Sequence, residues 1–144
     1  MYLVGVYLGS DKPNDSNVYF EDFVAEITPL CRDGLNVNGK FVTVNAKGGI
    51  FDAPARSFAL QVKYFNAFCG CCKCTTEGEF IERRMCFPVL DSPLRTDEGF
   101  VRHEQDDYHR GRTILETVPN FGCVTNVPYD YMHLYLNGVI RKLL

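Results

Sequence analysis

The sequence predicts an α/β fold, and three observations carry that prediction. A nearly continuous apolar run over residues 2–8, Tyr2-Leu3-Val4-Gly5-Val6-Tyr7-Leu8, has the pattern of a strand buried on both faces. Helical spacing follows from about Ser16, with Phe20, Phe23, Val24 and Ile27 on one side. The alternation then repeats, with a strand-like run ending at Ile50-Phe51-Asp52 and a helix start at Ala53-Pro54-Ala55-Arg56.

Each element has a local cause. Gly9-Ser10-Asp11-Lys12-Pro13-Asn14-Asp15 is a turn cluster that separates the first strand from the first helix. Pro29 is expected to end or kink that helix, because it has no N–H to donate. Leu35-Asn36-Val37 and Phe41-Val42-Thr43-Val44 flank Asn38-Gly39, a hairpin signal, since both turn residues tolerate positive φ. Gly48-Gly49 should bend or bulge the strand that approaches Asp52. Pro54 suits the first turn of the second helix, whose apolar side is Phe58, Leu60, Val62 and Phe65. Glu79-Phe80-Ile81 and Met85-Cys86-Phe87 can pair as a small hairpin. Residues 91–127 are polar and irregular, with one helical turn near Thr96-Asp97-Glu98. From about residue 129 a last helix is expected, with Met132, Leu136, Val139, Ile140 and Leu143 on one apolar face. Strand-like sequence begins at residue 2, and the last helix reaches Leu144 without a stop signal. The chain is therefore expected to be a piece of a longer protein.

At 144 residues the chain is long enough for one domain with a core. Apolar residues at 46% and charged residues at 23% are ordinary for a globular protein. Fifteen basic against eighteen acidic residues leave a net charge of −3, so there is no global basic field for nucleic acid or acidic membranes. No apolar stretch approaches the roughly 20 residues of a membrane span, and a membrane partner is not expected. Nothing in the sequence calls for a small-molecule substrate.

Four of seven cysteines fall within Cys69-Gly70-Cys71-Cys72-Lys73-Cys74. Such clustering fits metal binding in a reducing compartment better than a disulfide framework. Both Cys69/Cys72 and Cys71/Cys74 have zinc-knuckle spacing, and two further ligands are needed. The histidines all lie downstream. His109 and His133 are the candidate ligands, and His103, between Arg102 and Glu104, is expected on the solvated surface. Asp130 stands one helical turn before His133 and could orient its ring, or serve as a helix N-terminal charge. Cys31, Cys86 and Cys123 read as small core residues. Asp52 has two compatible roles. It can cap the helix that follows it, and a carboxylate at a strand end can hold a catalytic divalent ion. Arg83-Arg84, Arg95, Arg102, Arg110, Arg112 and Arg141-Lys142 could meet phosphates, but interleaved acids make a solvated face the default.

Taken in order, several motifs resemble the transposase of CACTA-type (En/Spm-like) DNA transposons. They are Gly5-Val6-Tyr7-Leu8-Gly9-Ser10-Asp11-Lys12-Pro13, Asp52-Ala53-Pro54-Ala55-Arg56, Gly70-Cys71-Cys72-Lys73-Cys74, Leu94-Arg95-Thr96-Asp97-Glu98, His109-Arg110-Gly111-Arg112, Tyr129-Asp130-Tyr131-Met132-His133-Leu134 and Gly138-Val139-Ile140-Arg141-Lys142-Leu143-Leu144. The resemblance covers nearly the whole chain. It departs at Gly48-Gly49 and Tyr135-Leu136-Asn137.

This resemblance implies a partial RNase H-like fold, a mixed sheet with flanking helices, carrying a Cys/His zinc-binding insertion. The implied parts are a partial core over 1–66, the insertion over 67–127 and a C-terminal helix over 128–144. Asp52 matches the second of three catalytic acids. Cys71 and Cys74 match the family's C-x-x-C, and Asp130 and His133 its D-x-M-H segment, with His109 a further zinc ligand. The reaction implied is Mg²⁺- or Mn²⁺-dependent cleavage and strand transfer at transposon-end DNA by a nuclear, oligomeric transposase. The first and last acids fall outside these residues, so the chain alone is expected to be inactive. The alternative is a domesticated, zinc-stabilised interaction module without catalysis.

Overall fold

The computed structural model describes residues 7–144. The expected first strand lies mostly outside the described residues, and Tyr7 and Leu8 carry no regular structure. The rest is a mixed α and β chain with short strands and much irregular backbone.

Helix α1 spans Ser16–Asp33. Asp15 caps it, its carboxylate accepting from Asn17 N at 2.8 Å. Val24 is buried, and Phe20, Phe23 and Ile27 pack beside it, as the helical spacing requires. Pro29 does not end the helix. The backbone runs on to Asp33, and Gly34 closes it at φ 69°, donating to Leu30 O at 3.0 Å. That capped turn carries the helix past the hydrogen bond Pro29 cannot make.

Strands β1 (Leu35–Val37) and β2 (Lys40–Val42) form the hairpin marked by Asn38-Gly39, both at positive φ (51° and 78°). Both strands are exposed. Beyond Val42 the expected strand dissolves. Gly49 N donates to Asn126 O at 2.9 Å, and only Phe51 pairs, in parallel with Tyr129. Helix α2 (Ala53–Ala59) starts at the Asp52 cap with proline in its first turn. Its expected apolar side is displaced, because the helix stops before Leu60. Gln61 then takes φ 53°, which leaves both Leu60 and Val62 buried, while Phe65 is exposed.

Strands β3 (Glu79–Ile81) and β4 (Arg84–Cys86) make a second hairpin, one residue earlier on its return than expected. Its turn residues, Glu82 and Arg83, are both left-handed without a glycine. The described strands thus form two separate antiparallel pairs, not one mixed sheet. Helix α3 (Asp97–Val101) follows its Thr96 cap, where a helical turn was expected. Two 3₁₀ turns, Asp106–Tyr108 and Ile114–Thr117, precede a π-wound segment, Tyr131–Ile140, that passes into α4, Arg141–Leu143.

The core is built where the sequence looks least regular. Phe100, Tyr108, Leu115, Val118, Cys123, Val124 and Val127 are buried against Val24, Ala59, Leu60, Val62 and Cys69. Each large side chain so buried contributes about 1.5–3 kcal/mol of transfer free energy. Polar anchors hold the irregular backbone. Asp97 accepts from Val124 N (2.7 Å), Thr125 N (3.1 Å) and Thr125 Oγ1 (2.5 Å), and Lys73 Nζ donates to Val124 O and Val127 O. Asn17 receives Ile114 N and donates to Arg112 O, and Thr113 Oγ1 donates to Ala59 O at 2.6 Å.

Candidate functional site

The parallel pairing of Phe51 with Tyr129 brings Asp52 beside Asp130 at the mouth of a cleft of about 430 Å³. Asp52 Oδ1 accepts from Ala55 N at 2.8 Å, so the helix-cap role is realised. Oδ2 takes no hydrogen bond among the described residues and stays available to a ligand. Asp130 Oδ1 accepts from Met132 N at 2.9 Å, capping the π-wound segment, and its Oδ2 is hydrogen-bonded to His133 Nδ1. Asp130 therefore both caps this segment and holds the His133 ring. That hydrogen bond, then Asp130's charge, raises the His133 pKa above its ordinary value, and Asp52 adds a smaller push. The same contact lowers the Asp130 pKa.

Of the two C-x-x-C registers, Cys71 and Cys74 face each other, with Sγ atoms 3.0 Å apart. Two thiolates on a tetrahedral zinc stand about 3.8 Å apart, given Zn–S bonds of about 2.3 Å. The pair has the right donors and needs a small opening to hold the ion. Burial works against the Cys71 thiolate. Hydrogen bonds from the Cys74 side chain and the Lys73 and Cys74 backbone outweigh it, so the Cys71 pKa is lowered. Cys74 is raised, by burial first and then by its bond to Cys71. Cys69 is buried in the core. Cys72 accepts from Arg56 Nη1 at 2.8 Å.

The histidines lie elsewhere. His109 is buried against Phe100 and Tyr108, and its Nδ1 has no partner. Burial first, then the nearby charge of His103, lowers its pKa to about 4, so the ring is neutral at pH 7. His103 is not the solvated residue its charged neighbours suggested. Its side chain is 18% exposed and stacks on His109, with centroids 3.9 Å apart and an interplanar angle of 9°. Among the described residues no three His, Cys, Asp or Glu side chains converge as a metal shell. Cys71 and Cys74 bring two sulfur atoms together, while His109 sits beside His103 and His133 beside Asp130.

Isolated cysteines divide as well. Cys123 is buried, and burial pushes its thiol up to about 12, whereas Cys31 and Cys86 are only partly covered. Arg95, expected on the surface, turns inward. Arg95 Nε donates to Cys71 O at 2.9 Å, its guanidinium meets Gln105 Oε1, and it lies 3.7 Å over the Tyr108 ring. Arg56, only 8% exposed, spans Cys72 and Pro128 O and leaves Nε unpartnered. Arg56 and Tyr129 stand inside motifs of the resemblance, but no role was expected of either. Their roles depend on the long-range pairing of Phe51 with Tyr129.

No family model, no curated protein and no solved structure matches this chain. The described helices include none long and apolar enough to cross a membrane.

Proposed function

We infer that the chain is the Asp52-bearing, zinc-binding part of a CACTA-type transposase catalytic domain, of RNase H-like design and inactive by itself. The observation that supports this reading is the meeting of Asp52 with Asp130 and His133 at one cleft, which brings together two motifs of the resemblance that lie far apart in sequence. Asp52 would hold one Mg²⁺ or Mn²⁺, which when bound stabilises charge on the attacking and leaving oxygens of a phosphodiester. Cys71 and Cys74 would supply two ligands of a structural zinc, and His109 and His133 are the residues proposed to complete it. Transposon-end DNA is the proposed substrate, handled in the nucleus by an oligomer.

The test grafts residues 7–144 into an active transposase of this type in place of its own segment. Cleavage of transposon ends with Mg²⁺ or Mn²⁺ should survive the graft and be lost in Asp52→Ala. If Asp52→Ala leaves cleavage intact, the catalytic assignment fails. Native mass spectrometry of the isolated chain should show about one zinc, lost in Cys71→Ser/Cys74→Ser. A second reading, a zinc-stabilised interaction module without catalysis, is favoured by the cap bond of Asp52, which gives that residue a structural use. It predicts the same zinc with no dependence of function on the second Asp52 oxygen.

A further inference from the structure

Aromatic rings form much of the wall of the cleft beside Asp52: Phe51, Tyr64, Phe65 and Tyr129. Two of them keep a large free surface, Phe65 at 58% and Tyr129 at 48% exposure. Tyr129 is held firmly. The Arg56 guanidinium lies 5.1 Å from its ring centroid, and Lys73 Nζ lies 5.7 Å away. The Tyr64 and Phe65 rings support each other, with centroids 4.6 Å apart. A ring fixed before binding loses little entropy when a ligand covers it. At about 430 Å³ the cleft falls in the range of small-ligand sites, about 300–1,000 Å³.

The charges around these rings select the ligand. Lys63 is exposed at the rim and Arg56 and Lys73 stand against Tyr129, while the carboxylates of Asp52 and Asp130 line the same cleft and leave the phosphate only the Lys63 side. A planar apolar face with an anion attached satisfies such a site. A nucleotide has both, and base stacking on aromatic side chains works for any base because each has a π face. A paired base hides its faces inside the duplex, so the ligand must be unpaired.

We propose that this cleft binds one unpaired nucleotide of single-stranded DNA, its base against Tyr129 and Phe65 and its phosphate toward Lys63. The proposal rests on the transposase reading for the phosphodiester it sets beside Asp52. The stacking rests on the rings alone.

The test measures fluorescence anisotropy of the full chain with a labelled oligodeoxythymidylate and with an abasic oligomer of equal length and charge. Binding should favour the base-bearing oligomer by about tenfold or more. Phe65→Ala should remove that preference and Tyr129→Phe should keep it. Phe65 is exposed enough for its loss to leave the fold intact, which circular dichroism checks. A 5-iodouracil photo-crosslink should map to the peptide bearing Tyr64 and Phe65 or to that bearing Tyr129. Equal binding of the two oligomers, no binding of either (as for a cleft built for an apolar peptide), or a preference untouched by Phe65→Ala overturns the proposal. Base-dependent binding without zinc or grafted cleavage would keep the nucleotide site and remove the transposase reading. Zinc and cleavage without base dependence would do the reverse.

Discussion

Residues 97–127 and residues 131–143 invert the usual relation between regularity and burial. The first segment holds one short helix and two 3₁₀ turns, yet it supplies Phe100, Tyr108, Leu115, Val118, Cys123, Val124 and Val127 to the core. The second is helical throughout, yet none of its residues is buried. Periodicity therefore reports the winding of a backbone and not what covers it. In the first segment, polar side chains such as Asp97 take over the work that a hydrogen-bond ladder does elsewhere.

The sharpest way to break this contrast is to truncate a buried side chain in the irregular segment. Phe100→Ala should cost about 3–5 kcal/mol in urea unfolding, from lost transfer and the cavity left behind. A loss below about 1 kcal/mol would show the segment to be loosely packed. Next comes its polar anchor. Asp97→Ala should cost about 1–2 kcal/mol by stranding the Val124 and Thr125 donors. Burial opposes the Asp97 carboxylate, but hydrogen bonds from Thr125 and Val124 outweigh it and lower its pKa. Its stabilisation should thus be complete above the unfolded value near 3.9 and fade as pH falls through the lower folded value. Acid titration of stability, wild type against Asp97→Ala, measures it.

On the helical side the effects shrink. Leu136→Ala should change stability by less than about 0.5 kcal/mol, because the residue is already exposed. A cost of several kcal/mol would mean that this face is covered in solution. Asp130→Asn should be nearly silent in unfolding but visible by NMR. His133 should titrate near its ordinary value, about 6.5, once the carboxylate that raises it is neutral. In the wild type, the pair's contribution holds below the unfolded pKa and disappears as pH rises through the raised one.

What the sequence made legible was local. Asn38-Gly39, the cap at Asp52, the helical turn near Thr96, the start at Ser16 and the inward face of α1 all depend on neighbours within a few residues. Gly48-Gly49 was legible as an interruption, though not that it frees the chain to hydrogen-bond with Asn126. The burial of Arg56 and the inward turn of Arg95 were not legible, since their partners come from distant segments, and the charged neighbours of His103 hid its stacking on His109. The candidate site divides the same way. Cys71 meets Cys74, three residues off, and Asp130 meets His133, three residues off, but the four expected zinc donors do not gather as one shell. Asp52 and Asp130 share a cleft only because Phe51 pairs with Tyr129.

The two hydrogen bonds of Asn17 to Arg112 and Ile114 also govern the order of assembly. They join residues 95 and 97 positions apart, and the bond from Lys73 to Val124 joins residues 51 apart. Contacts at such separations form slowly, because the intervening loop must close before they stabilise anything. On the ribosome, the apolar face of α1 is not fully covered until the turn Ile114–Thr117 has emerged. At roughly 5–20 residues per second that is a delay of seconds, long enough for a chaperone to engage.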